Sequence, residues 1–283
     1  MLTHEKRGTV MKIAVLTDTG SALNVIDAQK YGLYLLPLQV IDEEVSYQDG
    51  VDITTMELYE RLKKNHTPKT SMPILSVIEN QIAQIKADGY DAILSLPLSS
   101  GLSSTYNAIE VCGKDLGIPV VTIENYTTCD LQGYGAILAK HYVDEGKSIE
   151  KVKTSGTLIL PNDLQHLKRG GRLTPLAAAA AGLLKIKPIL RIDPQTNGKI
   201  DVFEKVRTEK KAISFAVDYI IDHLHGKPGK IFVIHSDCLD RAQEVKHMLL
   251  EKDPTLDIET NYISAVISAH TGLDCIAIQY IEK

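Results

Sequence analysis

Three short apolar runs, Lys12-Ile13-Ala14-Val15-Leu16-Thr17, Asp91-Ala92-Ile93-Leu94-Ser95-Leu96 and Val120-Val121-Thr122-Ile123, each give way to turn residues and then to a stretch with helical spacing. Strands that alternate with helices in this way predict a mostly parallel sheet covered on both faces. The intervening helices are expected at Asn24 to Tyr31, from Thr54 to about Lys64, at Ile74 to Ala87, from Tyr106 to Leu116, and from about Asp130 to Asp144. Thr54-Thr55-Met56-Glu57 has the spacing of a capping box and marks one of these starts. Leu35 to Ile41 reads as a second strand, and the polar Glu44 to Asp49 as an edge. Between Pro68 and Pro73 the two prolines hold the chain extended, so Thr70 and Ser71 are expected on a stiff loop.

The character changes around Lys147 to Ser155, where the boundary between two domains is expected, 11–150 and 151–283. Beyond it, Thr157 to Leu160 reads as a strand. Leu167-Lys168-Arg169-Gly170-Gly171-Arg172-Leu173 reads as an exposed basic turn leading into a helix from Thr174 to Leu184. Ile186 to Ile192 and Lys199 to Val206 flank Asn197-Gly198, a hairpin signal because both residues tolerate positive φ. Helices at Glu209 to Leu224 and Leu239 to Glu251 then alternate with strands at Lys230 to Ile234, Leu256 to Tyr262 and Ile276 to Tyr280. An antiparallel hairpin in this company predicts an α+β domain, so the whole reads as an α/β chain of two domains.

Several function classes are excluded by composition. The 283 residues carry a net charge of -5, which does not supply the basic face that nucleic acid needs. No apolar run approaches the ~20 residues that cross a bilayer. Residues 1–10 are polar and charged and read as a leader or alternative start without a structural role. Cys112, Cys129, Cys238 and Cys275 are far apart and form no C-x-x-C pair. They read as buried free thiols of a cytoplasmic protein, not as a zinc site.

The chemistry centres on Leu98-Ser99-Ser100-Gly101-Leu102-Ser103-Ser104-Thr105, a hydroxyl-rich turn between a strand and a helix start. Gly101 permits a sharp turn, and the first N–H groups of the helix are unpaired and carry partial positive charge. With the hydroxyls of Ser99, Ser100, Ser103, Ser104 and Thr105, they form a seat for a carboxylate or phosphate, or else an ordinary helix cap. A serine esterase or thioesterase using Ser103 and His270 is the enzyme alternative. It is weakened because Thr105 stands where a nucleophile elbow needs its second glycine. Gly226-Lys227-Pro228-Gly229-Lys230 has the wrong spacing for a phosphate loop. Gly133-Tyr134-Gly135 lacks the third glycine of a dinucleotide loop and reads as a close helix contact. The run Leu176-Ala177-Ala178-Ala179-Ala180-Ala181-Gly182 leaves room either for a slender apolar ligand or for close packing.

Taken together, these motifs resemble the DegV family, whose members are similar to the fatty-acid-binding subunit of bacterial fatty acid kinase. The resemblance rests on Asp18-Thr19-Gly20-Ser21, Thr70-Ser71-x-Pro73, Ser99-Ser100-Gly101-Leu102-Ser103-x-Thr105-Tyr106, Leu167-Lys168-Arg169-Gly170-Gly171-Arg172, Lys187-Pro188-Ile189 and His270-Thr271-Gly272. It implies a parallel-sheet N-terminal domain and an α+β C-terminal domain with a long-chain fatty acid, such as palmitate, stearate or oleate, held between them. It also implies Thr70 and Ser103 on the carboxylate, Ser71 and His270 close by, and Arg169 and Arg172 facing a separate kinase catalytic subunit. The chain would then be a binding subunit without chemistry or cofactor of its own, touching membranes only transiently. A lipid-responsive regulatory protein would share the pocket and differ in its partner. Met72, Ser104 and Leu273-Asp274 depart from the family pattern and bear on the shape of the pocket mouth.

Energetically, burying roughly 14 methylenes at about 0.8 kcal/mol each gives around 11 kcal/mol before ordering costs. Each hydrogen bond to a charged carboxylate adds about 1.5 to 3 kcal/mol. The tail would therefore set affinity and the hydroxyls direction.

Overall fold

The computed structural model describes residues 5–6, 9–147, 155–180 and 186–282. Most of the leader, residues 148–154 of the expected boundary and the last part of the helix expected from Thr174 to Leu184 lie outside them. At the start of the chain β1 (Glu5–Lys6) and β2 (Thr9–Val10) pair with one another.

A four-stranded parallel sheet organises the N-terminal half. It is built from β3 (Ile13–Asp18), β4 (Tyr34–Leu36), β8 (Ala92–Leu96) and β9 (Val120–Thr122), in the order β4-β3-β8-β9. Every residue of β3 and β8 is buried, as befits strands covered on both faces. Ala14, Leu16 and Ile93 point to one side, against Ile78, Ile82 and Ile85 of α3 (Leu75–Ala87) and Ile109 of α4 (Thr105–Asp115). Val15, Leu94 and Leu96 point to the other, against Ala28 of α1 (Val25–Lys30) and Ala136 and Ala139 of α5 (Cys129–Asp144). Gly133 fits where a Cβ would come within 2.6 Å of the Ser21 carbonyl, which is the close helix contact expected of it.

Two expectations change here. The strand read from Leu35 to Ile41 is two strands, because Pro37 has no N–H for a sheet ladder. After it the chain leaves the parallel sheet and enters a second sheet as β5 (Gln39–Asp42). The stiff loop at Thr70 is itself a strand, β7 (Lys69–Ser71), paired antiparallel with β5. β6 (Val45–Gln48) pairs on the other side of β5 and forms the expected edge. α2 (Thr55–Lys63) starts at the Thr54/Glu57 capping box.

The C-terminal half is a six-stranded mixed sheet in the order β12-β11-β10-β15-β13-β14. Its strands are β10 (Ser155–Leu160), β11 (Lys187–Ile192), β12 (Asp201–Val206), β13 (Gly229–His235), β14 (Asp257–Tyr262) and β15 (Ile276–Glu282). Only β13 and β14 run parallel. One face, carrying Leu158, Val233 and Ile278, is sealed by α8 (Glu209–Leu224) and α9 (Leu239–Lys252). The opposite face, carrying Ile159, Ile192, Ile234 and Ala277, turns toward the N-terminal half. Asn197 and Gly198 both have positive φ, 51° and 67°, as foreseen. The connection is nevertheless longer than a two-residue turn, since a 3₁₀ turn at Pro194–Thr196 precedes them. The first part of the basic segment is also helical, forming the end of α6 (Leu164–Arg169).

The halves interlock. α10 (Ala265–Thr271) crosses over to pack Ala265, Val266 and Ala269 against Leu38, Leu58, Tyr59 and Leu98. The Tyr59 hydroxyl donates to the Ile263 carbonyl at 2.8 Å. The turn at Ser99–Gly101 presses on the Asn197–Gly198 loop. A Cβ on Gly101 would stand 2.4 Å from the Gly198 carbonyl carbon. Gly101 is absent from the glycines with positive φ, so backbone proximity between the halves, not turn geometry, excludes a side chain there. Gly101→Ala is therefore expected to destabilise the protein by about 1 to 3 kcal/mol in urea unfolding. Gly135→Ala, whose added Cβ would meet nothing nearer than 3.9 Å, should not destabilise it.

Candidate functional site

Between the two halves lies a cavity of about 570 Å³, within the range of small-molecule sites. Its apolar walls are Leu38, Leu98 and Leu102 from the N-terminal half and Ile159, Ile192, Ile234, Ile263 and Ala277 from the C-terminal half. Alternation along β10 and β15 sends Leu158 and Ile278 into the core beneath α8 and α9, and Ile159 and Ala277 into the cavity. Among the described residues, none of Pro175–Ala179 in α7 (Pro175–Ala180) lies on the cavity wall. The described part of the small-residue run therefore does not line the cavity.

A polar group gathers on the same wall: Thr70, Ser71, Ser103, Ser104, Asn107, Arg172 and His270. Strand β7 carries Thr70 to α10, where its Oγ1 lies 2.6 Å from His270 Nε2. The ring is packed so closely that a Cβ on Gly170 would come within 2.5 Å of Nδ1. Desolvation, with smaller contributions from the Arg172 and His166 charges, pushes His270 down to about 3, so the imidazole is neutral at physiological pH. Ser103 Oγ lies 2.8 Å from Thr105 Oγ1 and accepts from the Thr105 N–H at 3.3 Å. Ser103 therefore bonds to the first residue of α4 and faces the cavity at once. Ser71 is exposed at the mouth.

The remaining hydroxyls of the serine turn divide by role. Ser99 is buried and donates to the Gly198 carbonyl at 3.0 Å, joining the halves. Thr105 is fully buried. Ser104 is exposed and lies 3.5 Å from Met72 Sδ. The Asp18 motif is structural too. Its carboxylate accepts from the Leu98 N–H at 2.9 Å, the Gly20 N–H at 3.0 Å and Gln132 Nε2 at 2.9 Å. It thus ties β3, the serine turn and α5 together. Burial pushes Asp18 up to about 6 despite these donors.

The two arginines of the basic turn go different ways. Arg169 is exposed beside His166 and Asp163. Arg172 lines the cavity and donates to the Gly170 carbonyl at 2.7 Å. Of the two glycines between them, Gly171 takes φ 72° and bends the turn, whereas Gly170 makes room for the His270 ring. The head of the cavity is thus not lined by uncharged donors alone. Sequence reasoning also passed over Thr128, Thr157 and Gln279 on the wall. A glutamine within the apolar run Ile276-Ala277-Ile278-Gln279-Tyr280 was the available signal.

The hydrolase arrangement does not form. Among the described residues, His270 Nε2 is engaged by Thr70, Ser103 by Thr105, and no carboxylate hydrogen-bonds to His270. Nor does any group of three or more His, Cys, Asp or Glu among them suit a metal ion. All four cysteines are free and buried.

Residues 12–283 match the family model described as "Uncharacterised protein, DegV family". The chain is 32% identical to the DegV protein of Bacillus subtilis, over 96% of this chain and 100% of that one. Among solved structures it is similar to DegV of Bacillus subtilis, described as a fatty acid binding protein (TM-score 0.85, 31% identity, 96% of this chain and 100% of that one). It is also similar to a fatty acid binding DegV family protein from Streptococcus agalactiae (TM-score 0.87, 28% identity, 97% of this chain and 100% of that one).

A histidine that folding holds near 3 instead of 6.5 makes stability depend on pH with a definite sign. The unfolded chain takes up a proton below 6.5 and the folded chain does not, so stability is lost as pH falls from about 6.5 toward 3. In urea unfolding, the stability of the parent relative to His270→Gln should be constant above pH ~7.5 and decline steadily below 6.5. A difference that is flat from pH ~8 to ~5 would contradict the neutral, desolvated ring.

Proposed function

Given that this chain belongs to the DegV family, we propose that it is a fatty-acid-binding protein. It holds one long-chain fatty acid, such as palmitate, stearate or oleate, with the carboxylate at Thr70, Ser103 and His270 and the tail in the apolar cavity. One observation carries this reading: an apolar hollow of about 570 Å³ ends in the Thr70 and Ser103 hydroxyls beside His270. With its proton on Nε2, neutral His270 donates to Thr70 Oγ1, and the Thr70 O–H is then free to donate to a carboxylate oxygen. Ser103, backed by Thr105, supplies a second donor, and Ser71 stands at the mouth. The Arg172 guanidinium on the wall adds a favourable charge.

The fatty acid head group is presented to a separate kinase subunit, which transfers a phosphoryl group from its nucleotide to the carboxylate oxygen and leaves an acyl phosphate in place. Arg169, exposed on the outer side of the basic turn, meets acidic residues of that partner, and Arg172 meets the new phosphate. This chain performs no bond-making step by itself, resides in the cytoplasm and touches membranes only while its ligand is exchanged. The sheets on either side of the cavity support a division into domains 11–150 and 151–283.

Native mass spectrometry of the protein purified from bacteria should show the added mass of a fatty acid. A protein that is empty and also ignores added oleate and palmitate would end the proposal. Ser103→Ala removes one hydrogen bond to a charged group and leaves the tail's burial intact, so affinity for oleate should fall about ten- to hundredfold. Arg169→Ala should keep lipid affinity and slow acyl-phosphate formation with the kinase subunit; unchanged turnover would remove the partner role from that side of the turn.

A further inference from the structure

Resting on the fatty-acid reading of the cavity, we propose that Thr157 and Gln279 form a polar reading site for the acyl tail, one that favours tails bearing a hydroxyl over plain alkyl chains. Thr157 and Gln279 are cross-strand partners on β10 and β15, two residues beyond the pair Ile159 and Ala277, and both pairs line the cavity. An acyl tail lying along this wall passes from aliphatic contacts onto the Thr157 hydroxyl, behind which Gln279 is fully buried.

Gln279 is held rigidly. Its Nε2 donates to the Thr128 carbonyl at 2.7 Å and to Thr157 Oγ1 at 3.1 Å, and its Oε1 accepts from the Leu131 N–H at 3.0 Å. Both amide protons are used, so the side chain cannot turn to suit a ligand. Thr157 accepts from Gln279, which leaves the Thr157 O–H proton to be given elsewhere. Thr157 is only 2% exposed, so bulk water does not take that proton. A methylene placed there leaves a buried donor unmatched, whereas a tail hydroxyl accepts the bond. Discrimination of this kind is worth about three- to tenfold in affinity.

The test compares stearate with hydroxystearate isomers carrying the hydroxyl at mid-chain or at the terminal carbon, by competition in native mass spectrometry. At least one isomer should outcompete stearate about three- to tenfold on the parent and on Thr157→Ser, which keeps the hydroxyl. On Thr157→Val, which keeps the branched shape, the preference should vanish. Binding of stearate with the same ratio on the parent and Thr157→Val overturns the tail-reading site alone. Failure of the parent to bind any of these lipids overturns the fatty-acid reading, and this inference with it.

Discussion

Thr70 and His270 stand 200 residues apart in the chain and 2.6 Å apart in space, and the polar head of the cavity depends on that contact. It exists because α10 leaves the C-terminal half and buries Ala265, Val266 and Ala269 against the small sheet and α2 of the other half. Small side chains on that face let the helix approach β7 closely, and the Tyr59 hydroxyl fixes its start by bonding the Ile263 carbonyl. Once α10 is seated, the ring it carries has few choices. Gly170 yields space for it, burial together with the Arg172 and His166 charges opposes its protonation, and Thr70 shares a hydrogen bond with it.

The same interlocking explains why so many polar groups of the motifs do not touch the cavity. Where two layers meet through loops, the backbone groups of those loops need partners away from water. Asp18 serves Leu98 and Gly20, Thr19 Oγ1 accepts from the Leu38 N–H, and Ser99 serves Gly198. Burying Asp18 is costly, and the loss of solvation pushes its carboxyl up to about 6. Three accepted hydrogen bonds offset part of that cost and hold the serine turn at the end of β8. Ser103, which faces the cavity, is thus presented by a turn whose buried hydroxyls, Ser99 and Thr105, are occupied with the fold.

A hollow between two sheets needs walls that are stable without a ligand. Here α8 and α9 seal the far face of the six-stranded sheet, and that core is independent of what occupies the near face. The parallel sheet is likewise packed on both sides by its own helices. Each half can therefore turn an apolar surface toward the other without filling the gap. Side chains of the near face, Ile159, Ile192, Ile234 and Ala277, meet the cavity as strand alternation requires.

From residue order alone came the alternation of strands and helices, the capped helix starts, the positive φ at Asn197 and Gly198, and the motifs that carry the family resemblance. These follow from local physics, since periodicity, capping and turn chemistry act over a few residues. Thr70, Ser103 and His270 were legible as a set only through the resemblance, because nothing in their spacing joins them. Tertiary structure alone decided that Pro37 hands one apolar run to two sheets and that Gly101 and Gly170 are small for the sake of distant neighbours. It alone sent Arg172 inward while Arg169 stayed outside, and put Gln279 on the cavity wall. Each of these depends on which surfaces the two halves bring together, and a contact between residues so far apart in the chain leaves no periodic trace in either segment.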